Sequence, residues 1–330
     1  MATTTESKSA LPYPEHDKLG PLGLKTSAIN DAAQLRTALV TSFEAAAHDA
    51  REAVVALDKG SAADAVHGAR KALRRARAVL GLVGGALPKG ERRAVKTALQ
   101  EARRALSTVR DHAVAPETLA GLTLDDADRA TANHVLANAA ESMPATAEIK
   151  QLLAESAARA AAQAEALQAA LPAELAWDTV AGGLAETYRE AREAIDAAKR
   201  SKSWFHTWRR RSKELAYQLD VIAEHAGPRL AAIQSELSGV SDTLGPAVDL
   251  IMVREFVATY GQGVPAEAID HLRGTLDLQL EELMKTARRS ARESFVLKAK
   301  KFEKRVTKSM RRDLAPADDD ANGASHLQEP

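Results

Sequence analysis

Residues 66–77 read VHGARKALRRAR: one histidine and five bases, with no acidic residue among them. On a helix turning about 100° per residue, His67, Arg70, Lys71, Arg74, Arg75 and Arg77 fall on one half of the cylinder. Val66, Ala69, Leu73, Ala76 and Leu80 fall on the other half. The apolar half can pack into a core, which would hold the cationic half at a fixed place on the surface. Such a face suits an extended polyanion.

The rest of the chain agrees with a helical reading. Of its 330 residues 45% are apolar but only 4% aromatic, so Ala, Leu and Val must fill the core. Long alanine-rich stretches carry few glycines or prolines, and no run of alternating residues marks a set of strands. An all-α fold follows. Forty-five bases against 45 acids give a formal charge of zero, yet the charge is polarised. Residues 285–312 hold twelve bases against two acids, Glu293 and Glu303, while acids gather in 117–128, 267–282 and Asp318–Asp320. Separated charge of this kind creates local potentials that net charge conceals.

The absence of cysteine excludes disulfides and thiolate metal sites. The N-terminus lacks a basic segment followed by an apolar one, and no stretch approaches 18 consecutive apolar residues. A cytoplasmic protein without a membrane span is the expectation.

Proline and glycine punctuate the chain. Residues 1–27 are expected to form a disordered arm, and residues 313–330 a disordered acidic tail. Between them the periodicity predicts helices over about 29–58, 61–83, 91–110, 126–142, 145–171, 184–200, 203–225, 229–240, 246–260 and 266–312. The last is expected to bend at Gly274. An irregular acidic patch is expected around Pro116–Asp126.

A second stretch, FHTWRRRSKELAYQL at 205–219, repeats the first. His67 is followed by Arg70 at +3, Lys71 at +4 and Arg74 at +7; His206 is followed by Arg209, Arg210 and Lys213 at the same offsets. On a helix each set forms one cationic stripe, with Trp208, Leu215, Leu219 and Ile222 opposite. LSTVRD at 106–111 and LSGVSD at 237–242 add a weaker echo. Together they suggest an internal duplication, with halves at about 29–172 and 174–312 of a domain spanning 28–312.

At these residues the chain resembles the CHAD family, the conserved-histidine α-helical domain. His206, Arg209, Lys213 and Tyr217 match the family's second-half pattern of histidine, arginine, lysine and tyrosine. FVLKAKKFEKRV at 295–306 is similar to its basic closing helix. The resemblance implies two pseudo-symmetric helical bundles with a basic central groove or pore that binds inorganic polyphosphate, and association with polyphosphate granules. Glu214 departs from the pattern, since it follows Lys213 where the family usually has another base. Ser241 before Asp242 replaces the arginine seen as Arg110 before Asp111.

Polyphosphate carries about one negative charge per phosphate along a flexible chain, so a binder needs spaced cations rather than a shaped pocket. Bases at i, i+3, i+4 and i+7 supply donors about 5–6 Å apart, and arginine grips phosphate oxygens in pairs. The candidate contacts are His67, Arg70, Lys71, Arg74, Arg75, Arg77, Arg103, Arg104, Arg110, Arg189, Arg192, His206, Arg209, Arg210, Lys213, Tyr217, Lys298, Lys301, Arg305 and Lys308. Arg189 and Arg192 stand apart because Glu190, Glu193 and Asp196 are interleaved with them, which suits ion pairs along one helix equally well. Neither histidine is read as a metal ligand, because no second ligand lies at helical spacing and adjacent arginines repel a cation. No cofactor is expected. No glycine-rich phosphate loop, nucleophile elbow or carboxylate cluster offers catalytic machinery, and Asp111 and Asp242 are expected to orient arginines or cap turns. The rival readings are a nucleic-acid-backbone binder, a polyphosphate or triphosphate hydrolase, and a scaffold for an acidic protein.

Overall fold

A computed structural model describes residues 32–198, 202–223 and 228–313. The expected arm at 1–27 and the tail from 314 lie outside them. All described secondary structure is helical: α1 (Ala32–Leu57), α2 (Ala62–Val83), α3 (Lys89–Ala105), α4 (Ser107–Ala120), α5 (Asp126–Glu141), α6 (Thr146–Ala170), α7 (Trp177–Ala197), α8 (Lys202–Ala223), α9 (Pro228–Tyr260), α10 (Ala266–Ser294) and α11 (Ala299–Asp313). One 3-10 turn, Gly84–Ala86, follows α2.

α2 sits at the centre. It starts at Ser61, whose Oγ accepts from the Asp64 backbone N–H at 3.1 Å and satisfies one of the free donors of the first turn. It ends where Gly84, Gly85 and Pro88 no longer continue the helix. α1, α3, α4 and α6 pack on it from one part of the chain, α7 and α8 from the other. Val66, Ala69, Leu73, Ala76 and Leu80 are all buried, as their spacing predicts. The core is one continuous cluster from Leu35 to Val306. Phe43, Tyr188, Phe205 and Trp208 are its largest fully buried side chains. Each contributes at least the roughly 1.5–3 kcal/mol of a fully buried Phe or Leu.

Five element boundaries differ from the sequence-based expectation. The helix expected over 91–110 breaks at Leu106, which turns into the core. There the Ser107 hydroxyl donates to the Arg104 carbonyl at 2.6 Å, a local bond that competes with the helix. The irregular patch expected from Pro116 begins only after Ala120, since Pro116 lies inside α4. In the same way Pro246 lies inside α9, which runs unbroken where two helices were expected. A proline removes one backbone donor and costs about 3 kcal/mol in a helix interior. Burial of Ala115 and Leu119 around the first, and of Leu244, Ala247 and Val248 around the second, offsets that cost.

The long helix expected over 266–312 does break, but after Ser294 rather than at Gly274. Side chains of α7 hold the break. The Tyr188 hydroxyl donates to the Leu297 carbonyl at 3.1 Å, and Arg192 donates to the same oxygen. The Tyr188 ring stacks on Phe302 with centroids 3.9 Å apart and packs against Phe295 at 5.1 Å.

α7 also starts earlier than the expected residue 184, because Gly182 and Gly183 do not interrupt it. At Gly183 the helix meets α2 backbone to backbone. A Cβ there would lie 2.5 Å from the Gly81 carbonyl oxygen and 2.6 Å from that of Leu82, so only glycine permits this approach.

Candidate functional site

The two cationic stripes lie on helices that pack against each other, α2 and α8. Arg77 donates to Glu214 at 3.2 Å, and the Gln218 amide reaches the Ala78 carbonyl at 3.4 Å. A side chain at Gly81 would collide with Gln218 and would touch Glu214 at 3.5 Å. The contact between the two helices therefore includes Arg77, Ala78 and Gly81 of α2 and Glu214 and Gln218 of α8.

Their arginines gather along this seam, with α3 and α4 adding more. Arg70 is buried, and burial, Arg74, Arg103 and Arg110 push its guanidinium down to about 9 although Asp111 opposes them. Burial, Arg74, Arg77, Arg210 and Arg104 bring Arg103 down to about 10. Burial does the same to Arg209, also to about 10; Asp249 opposes it, while Arg74 and Arg110 add to it. Arg210 is lowered by burial, Arg211 and Arg77. All of these groups remain cations at neutral pH, and the lowering reflects the work of crowding like charges into a poorly hydrated place. Arg70, Arg74, Arg103, Arg209 and Arg210 make no salt bridge with a carboxylate among the described residues. Arg70 spends one donor on the Arg103 carbonyl at 2.9 Å. The Nε–H groups of Arg70, Arg77 and Arg209 are buried without an acceptor among the described residues. A buried donor without a partner costs about 1–3 kcal/mol, more when charged.

Carboxylates bound this row at both ends. At one end Arg110 lies between Asp111, at 3.0 Å, and Asp249 of α9, and these two raise its pKa against the effect of burial. Asp111 thus orients an arginine as expected, whereas the side chain of Asp242 is outside the described residues. At the other end Glu214 holds Arg77 and also Arg211, at 2.8 Å, and Glu190 of α7 holds the other side of Arg211 at 2.8 Å.

The remaining candidates fall into separate groups. Lys71, Arg75 and Lys213 surround Asp220, which burial keeps above the usual carboxylate range while a Gln234 hydrogen bond and these cations pull it down. Tyr217 is buried close to Arg209, and Arg104 is exposed beside Arg103. His67 and His206 are on exposed parts of α2 and α8. Partial loss of water lowers the His206 pKa, with Glu255 opposing and Arg209 adding to the shift. Arg189 is committed to Glu186 at 2.5 Å and Glu193 at 2.6 Å, the ion-paired arrangement its neighbours made possible. With Arg192 and Lys298 it lines a separate depression of about 310 Å³. Lys301, Arg305 and Lys308 are exposed on α11, which packs on α7 and α9.

Sequence reasoning missed Asp249 and Asp220 as neighbours of the bases, and gave Arg211 and Lys96 no role. Lys96 lies across from Arg77 and Arg211, and burial and those two cations lower its pKa. The carboxylates could not have been found by helical spacing, because Glu214 and Asp249 are 137 and 139 residues from the arginines they hold. Asp125, Asp128 and His271 form another group, close enough together to share an ion. Asp125 is already the cap of α5, and the buried Asp128 accepts from Thr275 at 2.6 Å and lies 2.9 Å from His271, tying α5 to α10. No helix among the described residues is long and apolar enough to cross a membrane.

The family model for the CHAD domain matches residues 42–258. The fold is similar to the crystal structure of the CHAD domain from the plant Ricinus communis, with a TM-score of 0.62 and 18% identity over 85% of this chain and 98% of that one. A second solved structure, PptA from Streptomyces chartreusis, matches with a TM-score of 0.48 and 15% identity over 79% of this chain and 99% of that one. No curated protein matches the chain.

Proposed function

Because the chain belongs to the CHAD domain family, one associated with polyphosphate binding, we propose that it binds inorganic polyphosphate along the seam between α2 and α8. One observation carries this reading: Arg70, Arg74, Arg103, Arg209 and Arg210 lie close together, and none of them makes a salt bridge with a carboxylate among the described residues. A fold that crowds these cations bears their mutual repulsion in the free state, and a bound polyanion relieves it. Spaced guanidinium groups match an anion whose charge repeats along a chain. The role is binding rather than catalysis, and association with polyphosphate granules follows from it.

Competition tests the assignment. Labelled long-chain polyphosphate is bound at fixed salt and challenged with RNA, DNA and pyrophosphate. Polyphosphate is expected to resist all three. Equal displacement by RNA would transfer the seam to nucleic-acid backbones, a reading for which the exposed Trp204 at the start of α8 offers a stacking surface. Release of free phosphate during the incubation would make the protein a hydrolase. The double variant R74A/R209A is expected to lose affinity and to flatten the salt dependence by about two ions. Unchanged binding would move the site away from the seam.

A further inference from the structure

We infer that Glu214 closes one end of the polyanion track, acting as an internal carboxylate that occupies Arg77 and Arg211 and so limits the length of chain the seam can engage. This rests on the polyphosphate reading. The Glu214 Oε2 lies 3.2 Å from Arg77 and 2.8 Å from Arg211, and the three side chains are only 11–14% exposed. Buried and charge-assisted, the contacts are much stronger than surface ion pairs. Glu190 adds a second carboxylate on Arg211, so two cations and two anions form a locally neutral block.

The neutral block has a defined place. The row of arginines that make no salt bridge adjoins it at Arg210, which lies near Arg77, Arg211, Glu214 and Glu190. The block's four members also line a cavity of about 600 Å³, whose lining sets Arg77, Arg92, Lys96 and Arg211 against Asp178, Glu186, Glu190 and Glu214. A polyanion advancing along the row gains attraction at each step until it reaches Glu214. Beyond that carboxylate it meets as many acids as bases. The position of Glu214 is set by α2: Gly81 has no side chain, and one there would touch the carboxylate at 3.5 Å and collide with Gln218 in the next turn of α8. Removing the charge of Glu214 would return Arg77 and Arg211 to the row and lengthen the track.

The test compares wild type with Glu214→Gln in binding tripolyphosphate and a long polyphosphate chain across a salt series. The glutamine keeps the shape and removes the charge. Long-chain affinity is expected to rise about tenfold, with a salt slope steeper by one to two ions, while tripolyphosphate, satisfied by the central arginines, changes less than twofold. Glu155→Gln, an exposed position on α6, makes the same change in net charge and is expected to alter neither ligand. An equal gain for both ligands, or none for either, overturns the inference while leaving the polyphosphate assignment standing. A wild-type protein that binds neither ligand overturns both. If the thermal melt shows Glu214→Gln unfolded, Glu190→Gln, which frees one side of Arg211, replaces it. It is expected to show a smaller gain confined to the long chain, and no such gain is again a refutation.

Discussion

Two adjacent glycines of α7 should respond in opposite directions to the same substitution. An alanine in a helix interior is worth about 0.8–1 kcal/mol over glycine, and that gain is available at both Gly182 and Gly183. At Gly182 a Cβ meets nothing within 4 Å, so the gain is kept. At Gly183 it would meet the Gly81 and Leu82 carbonyl oxygens at 2.5 and 2.6 Å and the Leu82 Cα at 2.9 Å. All three are backbone atoms, so no rotamer change relieves the collision and α2 and α7 must separate. Overpacking of this kind costs about 3 kcal/mol at the upper end of its usual range, leaving a net loss of about 2 kcal/mol. For a domain of this size 1 kcal/mol moves the melting temperature by about 2 °C. The thermal midpoint of Gly182→Ala should therefore rise by about 2 °C and that of Gly183→Ala fall by about 3–4 °C, with the urea midpoints moving in the same directions. The urea slope should stay constant, showing that stability rather than the unfolded state has changed. A Gly183→Ala protein as stable as Gly182→Ala would refute the close approach of α2 and α7.

Other perturbations probe the supports of the site. Ser61→Ala removes the cap of α2 and should cost about 1 kcal/mol in a urea melt, without changing polyphosphate affinity. Tyr188→Phe keeps the stack on Phe302 but loses the hydroxyl donated to the Leu297 carbonyl, an expected loss of about 1 kcal/mol by the same measurement. Polyphosphate affinity should rise as pH falls through the histidine range: free His206 is held below its ordinary value, chiefly by loss of water, and a nearby bound anion favours its protonated form, so binding takes up a proton. His206→Gln should flatten that part of the profile, and a profile parallel to wild type would exclude His206 as the titrating contact.

Helical spacing carried the reading furthest where local geometry alone decides. The apolar faces of α2 and α8 are buried as their periodicity requires, with Leu73, Trp208, Leu215 and Leu219 all in the core. The prolines misled because a breaker's cost is local, whereas the burial that offsets it in α4 and α9 comes from distant helices. For the site, spacing identified the two stripes but placed all of their bases on an open face. In fact Arg70 and Arg75 are buried, because helices from both parts of the chain pack on α2, although His67 in its N-terminal turns stays exposed. The acids that end the row were invisible for a related reason. Glu214 stood out in the sequence as an acid among bases, but nothing there connected it to Arg77, and Asp249 gave no signal at all.

The central position of α2 has a consequence for the order in which the protein can acquire its ligand. α2 is synthesised early, but Arg77 must wait 137 residues for Glu214, and the stripe of α8 is made equally late. A growing chain therefore exposes half a cation row, without the crowding found in the finished seam. One continuous core joins helices from both parts of the chain, so the row is complete only when both α2 and α8 are packed. On the proposed function, capture of polyanion belongs to the completed protein, and loss of either α2 or α8 from the packed structure would release it.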